Sequence, residues 1–101
     1  MINQVIVVGR LVSDPQINET ENGNKICTIT LAVPRGYKNI NGEYDTDFIG
    51  CVLYKGVAET TSEYCRKGDI IGIKGNVQRL SGEELKIVAD KVTFLSSGNK
   101  E

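Results

Sequence analysis

The feature that most constrains this chain is a succession of five short segments with alternating side chains, interrupted once by a helical pattern. Alternation at period two places successive side chains on opposite faces of a β-strand, whereas apolar residues three and four positions apart share one face of a helix. The predicted strands are Val5–Val12, Lys25–Val33, Asp47–Lys55, Asp69–Arg79 and Leu85–Leu95, and the predicted helix is Val57–Lys67. Turn-forming residues, among them Pro15 and Pro34, separate these segments, and Gly68 is predicted to cap the C-terminal end of the helix.

The order of the segments predicts the fold. Five strands with one helix between the third and the fourth are the order of an OB-fold barrel, so we expect an all-β domain with one helix over residues 1–96. Residues 97–101 are predicted to form a disordered C-terminal end. Gly9, Gly72 and Gly75 are predicted to mark bends of the barrel strands. In such barrels the face of strands two and three binds oligonucleotides or oligosaccharides.

The third predicted strand is apolar on both faces, which a half-buried strand in a small protein normally is not. Its odd positions from Ile49 to Leu53 form one apolar face, which is expected to enter the core. Its even positions begin with Phe48 and end with Tyr54, six residues further on. This second face lies where an OB-fold barrel holds its ligand, so its function needs an explanation.

Aromatic residues are few, and their positions divide them into two groups. Tyr64 falls on the apolar stripe of the helix and Phe94 ends the last strand, so both are predicted to be core residues. Tyr37, Phe48 and Tyr54 are predicted to stack on bases, with about 20 Å between the last two at ~3.3 Å per residue. The alternative, that Phe48 and Tyr54 pack under a loop or in a subunit interface, has equal support from the pattern.

Cations accompany these rings although the net charge of the chain is −1. Such a charge does not predict nucleic-acid affinity by itself, so any polyanion site must be a local cluster. The predicted phosphate-binding residues are Arg10, Arg35, Lys38, Lys55, Lys74, Arg79 and Lys86. Each of them taken singly is more often a solvated surface charge.

Catalysis is not expected. The chain has no histidine, the side chain most often used for acid–base chemistry at neutral pH. Cys27, Cys51 and Cys65 have no metal-like spacing and lie in apolar patterns, which predicts buried free thiols, no metal and no cofactor. With neither a basic leader nor a long apolar run, a cytoplasmic location away from the membrane is expected.

Several motifs, taken in order, resemble the bacterial single-stranded DNA-binding proteins. They are MINQVIVVGRL (residues 1–11), DP (14–15), TITLAV (28–33), DFIGCV (47–52), AE (58–59) and YCRKG (64–68). The resemblance implies an OB-fold homotetramer with the first strand in a subunit contact, although the sequence leaves a dimer open. It also implies a nucleoid-associated protein that covers single-stranded DNA in replication, repair and recombination. In it Tyr37, Phe48 and Tyr54 occupy positions of aromatic residues in the family.

The chain departs from the family pattern in three places. The hairpin at residues 79–84 is short and carries no aromatic residue, and there is no tryptophan. The glycine-rich linker and the acidic tip that recruits replication and repair proteins do not follow Gly98, so a short form without this tail is expected. The alternative function is an OB-fold protein-interaction module, such as a primosome-type accessory protein, whose aromatic face binds protein.

Overall fold

The structure, a computed structural model, describes residues 1–80, 82 and 84–98. Its strands are β1 (Val5–Leu11), β2 (Ile17–Glu19), β3 (Lys25–Lys38), β4 (Tyr44–Tyr54), β5 (Ile70–Arg79) and β6 (Leu85–Ser96), with the helix α1 (Lys55–Tyr64) between β4 and β5. The five predicted strands and the helix are confirmed. The short strand β2, which pairs with the start of β3, was not predicted because three residues are too few to show a period.

The strands form one closed barrel. Their order in the sheet is β1-β5-β6-β4-β3-β2, and an additional pairing of β1 with β3 joins the two sides. Strand β1 pairs with β5 as far as Arg10 and then with β3 at Arg10 and Leu11. Because β1, β3, β4, β5 and β6 close on one another in this way, with α1 between β4 and β5 in the chain, the predicted five-stranded OB-fold barrel is confirmed.

Two glycines allow this closure. A side chain on Gly9 would begin 2.9 Å from a Val33 methyl and 3.0 Å from the Ala32 oxygen, so only glycine lets β1 approach β3 here. A side chain on Gly75 would begin 2.0 Å from the Val88 oxygen, beside a register shift between β5 and β6. The predicted bends at these two positions are therefore sites of close backbone approach.

The core confirms the alternation read from the sequence. Within the barrel, odd residues of β3 and β4 face the core, and the buried ones include Cys27 and Leu31 of β3 and Cys51 and Leu53 of β4. All three cysteines are buried free thiols, as predicted. Burial raises the pKa of each thiol, to about 11 for Cys51, because a thiolate loses its hydration in the core.

The predicted core positions of Tyr64 and Phe94 are wrong. Tyr64 is 67% exposed and Phe94 is 50% exposed. The buried residues of α1 are Ala58 and Thr61, and at about 100° per residue Tyr64 lies ~120° around the helix from Ala58. Phe94 is paired with the buried Ile71, yet it lines an open groove between α1 and β6.

Several predicted boundaries also differ. The helix ends at Tyr64 because Cys65 has extended backbone angles (φ −112°, ψ 147°) and its side chain is buried. Gly68, with φ +93°, therefore belongs to the turn after the helix rather than to its cap. Strands β3 and β4 continue as a hairpin arm from Pro34 to Thr46, where the sequence indicated a loop; we call this segment the arm.

Two further predictions concern the membrane and the C-terminal end of the domain. No helix within residues 1–80, 82 and 84–98 is long and apolar enough to cross a membrane. The Gly98 amide donates a hydrogen bond to the Asp69 carboxylate at 3.0 Å. Residues 99–101 of the predicted disordered end lie outside the described residues, as do Ser81 and Glu83 of the β5–β6 turn, so the domain limit at residue 96 stays a prediction.

Candidate nucleic-acid interface

The even residues of β3 and β4 lie on the outer side of the barrel, which we call the aromatic face, although Val52, between Phe48 and Tyr54, is itself buried. In the antiparallel register Phe48 lies opposite Ala32 and Tyr54 lies opposite Ile26. Phe48 is 68% exposed and Tyr54 is 38% exposed. The two rings are thus on one face of one strand, about 20 Å apart along it.

A lysine from a distant part of the sequence lies between the two rings. The methylene carbons of Lys86 lie 3.7–3.8 Å from the point where a side chain of Gly50 would begin. The apolar stem of Lys86 therefore packs over Gly50, while Phe48 and Leu85 line the groove beside it. Parallel pairing of β6 with β4 next to this position brings Lys86 here, which no local pattern could have indicated.

Tyr54 and Lys55 join the aromatic face to the start of α1. Tyr54 is the N-cap residue of α1, and no side chain caps this end or places an acidic group in its first turn. Lys55 follows with φ 55°, a left-handed conformation that non-glycine residues rarely adopt. The exposed ammonium group of Lys55 and the positive end of the helix therefore lie together beside Tyr54, an arrangement that favours anions.

The arm carries two more exposed aromatic residues. Tyr44 is 58% exposed and pairs with Lys38, whose Nζ lies 5.9 Å from the centre of its ring. Tyr44 also shares the even face of β4 with Phe48, but sequence reasoning missed it because that strand was predicted to begin at Asp47. Tyr37 is 65% exposed and lies in the register irregularity of β3, where pairing does not determine its face.

Arg35 is engaged by carboxylates. Its Nε and Nη2 donate hydrogen bonds to the two oxygens of Asp47, each at 3.0 Å, and its Nη1 lies 3.9 Å from Asp45 Oδ2. The hydrogen bond from Arg35 lowers the pKa of the Asp47 carboxyl. The guanidinium that the sequence indicated as a phosphate ligand thus already holds a bidentate anion.

The remaining predicted cations fall at different distances from the aromatic face. Arg10 pairs with Ala32, the neighbour of Phe48, and its Nη1 donates to the Gly68 oxygen at 2.8 Å. Arg79 pairs with Leu85, which lines the Lys86 groove. Lys74 lies away from this face, on the outer side of β5 between β1 and β6.

The aromatic face offers stacking surfaces and positive charge. No group of three or more histidine, cysteine or acidic side chains among the described residues is arranged to hold a metal ion. What the aromatic face presents is exposed rings separated by strand spacings, with ammonium groups beside them. Such a surface can stack planar groups and attract phosphates at once.

Comparisons with known proteins find similarity to single-stranded DNA-binding proteins. The model of the single-strand binding protein family matches residues 2–95. The chain is 38% identical to single-stranded DNA-binding protein B of Bacillus subtilis, over all of this chain and 96% of that protein. It is 46% identical to a single-stranded DNA-binding protein of Enterococcus faecalis over 77% of this chain, and 39% identical to one of Bacillus cereus over 98% of it. The matches span only 42% and 63% of these two longer proteins.

Proposed function

The chain belongs to the single-strand binding protein family, and on that premise we propose that it binds single-stranded DNA largely without sequence preference. The observation that carries this proposal is the row of exposed rings on β4, with Lys86 held over Gly50 between them. Covering single strands in this way would serve replication, repair and recombination. The activity is assigned to the bacterial cytoplasm, at the nucleoid.

Affinity comes from two kinds of contact that add to each other, base stacking and phosphate binding. Each base stacked on a ring contributes about 1–3 kcal/mol, and because every base has a flat face, stacking does not read sequence. Phosphates contact Lys86, Lys55 and Lys38, which lie beside Phe48, Tyr54 and Tyr44 respectively. Each such contact releases counterions, so the affinity must fall as salt rises.

No chemical step belongs to this function. The relatives of this chain are named for binding single-stranded DNA. The thiols of this chain are buried, and their raised pKa values keep them protonated at neutral pH. Binding therefore accounts for the aromatic face without a nucleophile or a cofactor.

The protein is proposed to assemble as a homotetramer through the outer side of β1. Ile6 is 71% exposed, and the side chains of Val8 and Leu95 flank Gly72 next to it. An open apolar patch of this kind is typical of a subunit contact. Val8→Glu is expected to produce smaller species in sedimentation equilibrium, whereas Asn18→Glu on β2 should not. A monomeric unsubstituted protein would contradict the proposal.

Titration of fluorescent oligo-dT tests the DNA-binding function. Oligonucleotides of increasing length are added at two salt concentrations while anisotropy is followed. We expect binding that tightens with length and weakens with salt. The short β5–β6 hairpin without an aromatic residue supports a small nucleotide site. Absence of binding at low salt would contradict the function and favour the protein-interaction module.

A further inference from the structure

The arm carries two pairs of an aromatic and a basic residue, and one pair continues the aromatic face. Successive residues of β4 alternate between faces, so Tyr44 lies on the same side as Phe48, about 13 Å from it along the strand at ~3.3 Å per residue. Lys38 pairs with Tyr44 in the register, and its Nζ lies 5.9 Å from the centre of that ring. Tyr44 and Lys38 therefore extend the aromatic face from the barrel onto the arm.

The other pair, Tyr37 and Arg35, lies on the opposite face of the arm. Arg35 donates hydrogen bonds to both carboxylate oxygens of Asp47 at 3.0 Å, and Asp47 directly precedes Phe48, so its side chain points away from the aromatic face. Tyr37 is two residues from Arg35 in β3, the spacing of one strand face. Asp47 raises the pKa of Arg35, and the Tyr37 hydroxyl raises it further, which agrees with a position of Tyr37 beside the same guanidinium. The exposed ring of Tyr37 thus faces away from Phe48.

Charge also distinguishes the two faces of the arm. On the opposite face Arg35 lies between Asp47 and Asp45, whose Oδ2 is 3.9 Å from its Nη1, so the three charges add to −1 and disfavour a phosphate there. On the aromatic face Lys38 places a positive charge beside an exposed ring. A ring with a cation next to it is the combination that a single strand of nucleic acid uses.

We propose that the arm binds single-stranded DNA through Tyr44 and Lys38, and that Tyr37 and Arg35 stay outside the DNA path. The inference rests on the proposed DNA-binding function and extends its site from the barrel to the arm. It departs from the family resemblance, in which Tyr37 occupies the position of an aromatic residue. The reason is geometric: a strand that stacks on Phe48 passes the side of the arm that carries Tyr44.

Tyr44→Ala and Tyr37→Ala form a matched pair for the test. The same side chain is removed from either face of one hairpin, and the two rings are 58% and 65% exposed. Tyr44→Ala is expected to weaken oligo-dT binding about 5- to 140-fold, the loss of one stacked base. Tyr37→Ala should keep an affinity within about 2-fold of the unsubstituted protein, since no base is lost. Tyr44→Phe keeps the ring and should bind as the unsubstituted protein does.

Fluorescence reports the stacking directly, because the chain contains no tryptophan. Tyr44→Trp and Tyr37→Trp each keep a planar ring at their position and introduce one indole. A base stacked on an indole quenches its fluorescence, so oligo-dT should quench the emission of Tyr44→Trp and leave that of Tyr37→Trp nearly unchanged. This measurement decides the question even if an alanine variant does not fold, which thermal melts would reveal.

The two cations are tested by the salt dependence of binding. Lys38→Gln should reduce the slope of log affinity against log salt by about 0.7, because one phosphate contact is lost. The double variant Arg35→Gln with Asp47→Asn removes the ion pair of the opposite face without changing the net charge. It should leave the slope unchanged.

The outcomes separate this inference from the function on which it rests. Unsubstituted protein that does not bind oligo-dT at low salt overturns both. If the unsubstituted protein binds and Tyr44→Ala binds within about 2-fold of it, only the role of the arm is overturned. That role is also overturned if oligo-dT quenches both indoles equally, or if the double variant lowers the slope as Lys38→Gln does. In either case the strand would contact both faces of the arm.

Discussion

Replacing Phe48 and replacing its neighbour Ile49 should have opposite consequences, and this pair tests the assignment of the two faces of β4. Phe48 is 68% exposed on the aromatic face, whereas Ile49 is half-buried and packs against the core. Loss of one stacked base costs about 1–3 kcal/mol, so Phe48→Ala should weaken DNA binding about 5- to 140-fold. Its melting temperature should change by no more than about 4 °C, because the side chain is already in water.

Ile49→Ala should behave in the reverse way. Truncation of a packed isoleucine to alanine costs about 2 kcal/mol at the low end of the range for buried positions. In a domain of this size that loss lowers the melting temperature by about 8–16 °C. The aromatic face is on the other side of the strand, so the affinity of the folded variant for DNA should stay within about 2-fold of the original.

The assay combines thermal melts with anisotropy titration of an oligo-dT of about eight nucleotides, within the range that one OB fold covers. A short oligonucleotide prevents DNA from bridging several subunits, which would multiply the effect of one substitution. Phe48→Ala that melts at a much lower temperature, or that binds DNA as tightly as the original, would refute the assignment. Weakened binding by folded Ile49→Ala would refute it equally.

Two further predictions concern single side chains. Lys86→Ala should reduce the salt slope by about 0.7 because one phosphate contact beside Gly50 is lost, whereas Lys91→Ala, which lies opposite Lys74, should leave the slope unchanged. The raised pKa of Cys51, about 11 against 9.0, means that the unfolded thiol loses its proton first as pH rises. The contribution of Cys51 to the free energy of unfolding is therefore fully present below pH 9 and falls by about 2–3 kcal/mol between pH 9 and 11, which urea titrations can follow. Cys51→Ala should show a flatter profile over that interval, and an identical profile would contradict the burial argument.

Alternation along the chain determined which side of each strand faces the core. Cys27 and Leu31 of β3 and Leu53 of β4 are buried as their odd positions indicated, and Phe48 and Tyr54 are exposed as their even positions indicated. This succeeds because successive side chains of a strand point to opposite faces whatever the strand pairs with. The same local rule, together with the order of the segments, was enough for the OB-fold barrel.

Tertiary contacts decided where the strands end and which residues near the ends of elements are exposed. The arm extends β3 to Lys38 and β4 back to Tyr44, which places Tyr44 on the aromatic face although its surroundings are polar. Tyr64 and Phe94 fit apolar patterns, yet they lie open because nothing in the described chain covers the groove between α1 and β6 beside them. A pattern indicates the side on which a residue lies but not whether another element covers it.

Electrostatics of the candidate site were decided by tertiary structure alone. Lys86 reaches Gly50 because β6 runs parallel to β4, and Arg35 meets Asp47 because the two strands of the arm are in one register. The sequence does not distinguish Lys86 from Arg35, because it shows each cation but not the residue that each one contacts. The sequence by itself determined which rings and charges this protein has and which faces they share. Only the strand register decided which cation lies beside the rings and which is held by a carboxylate, because a long charged side chain can take its partner from across the sheet rather than from along the chain.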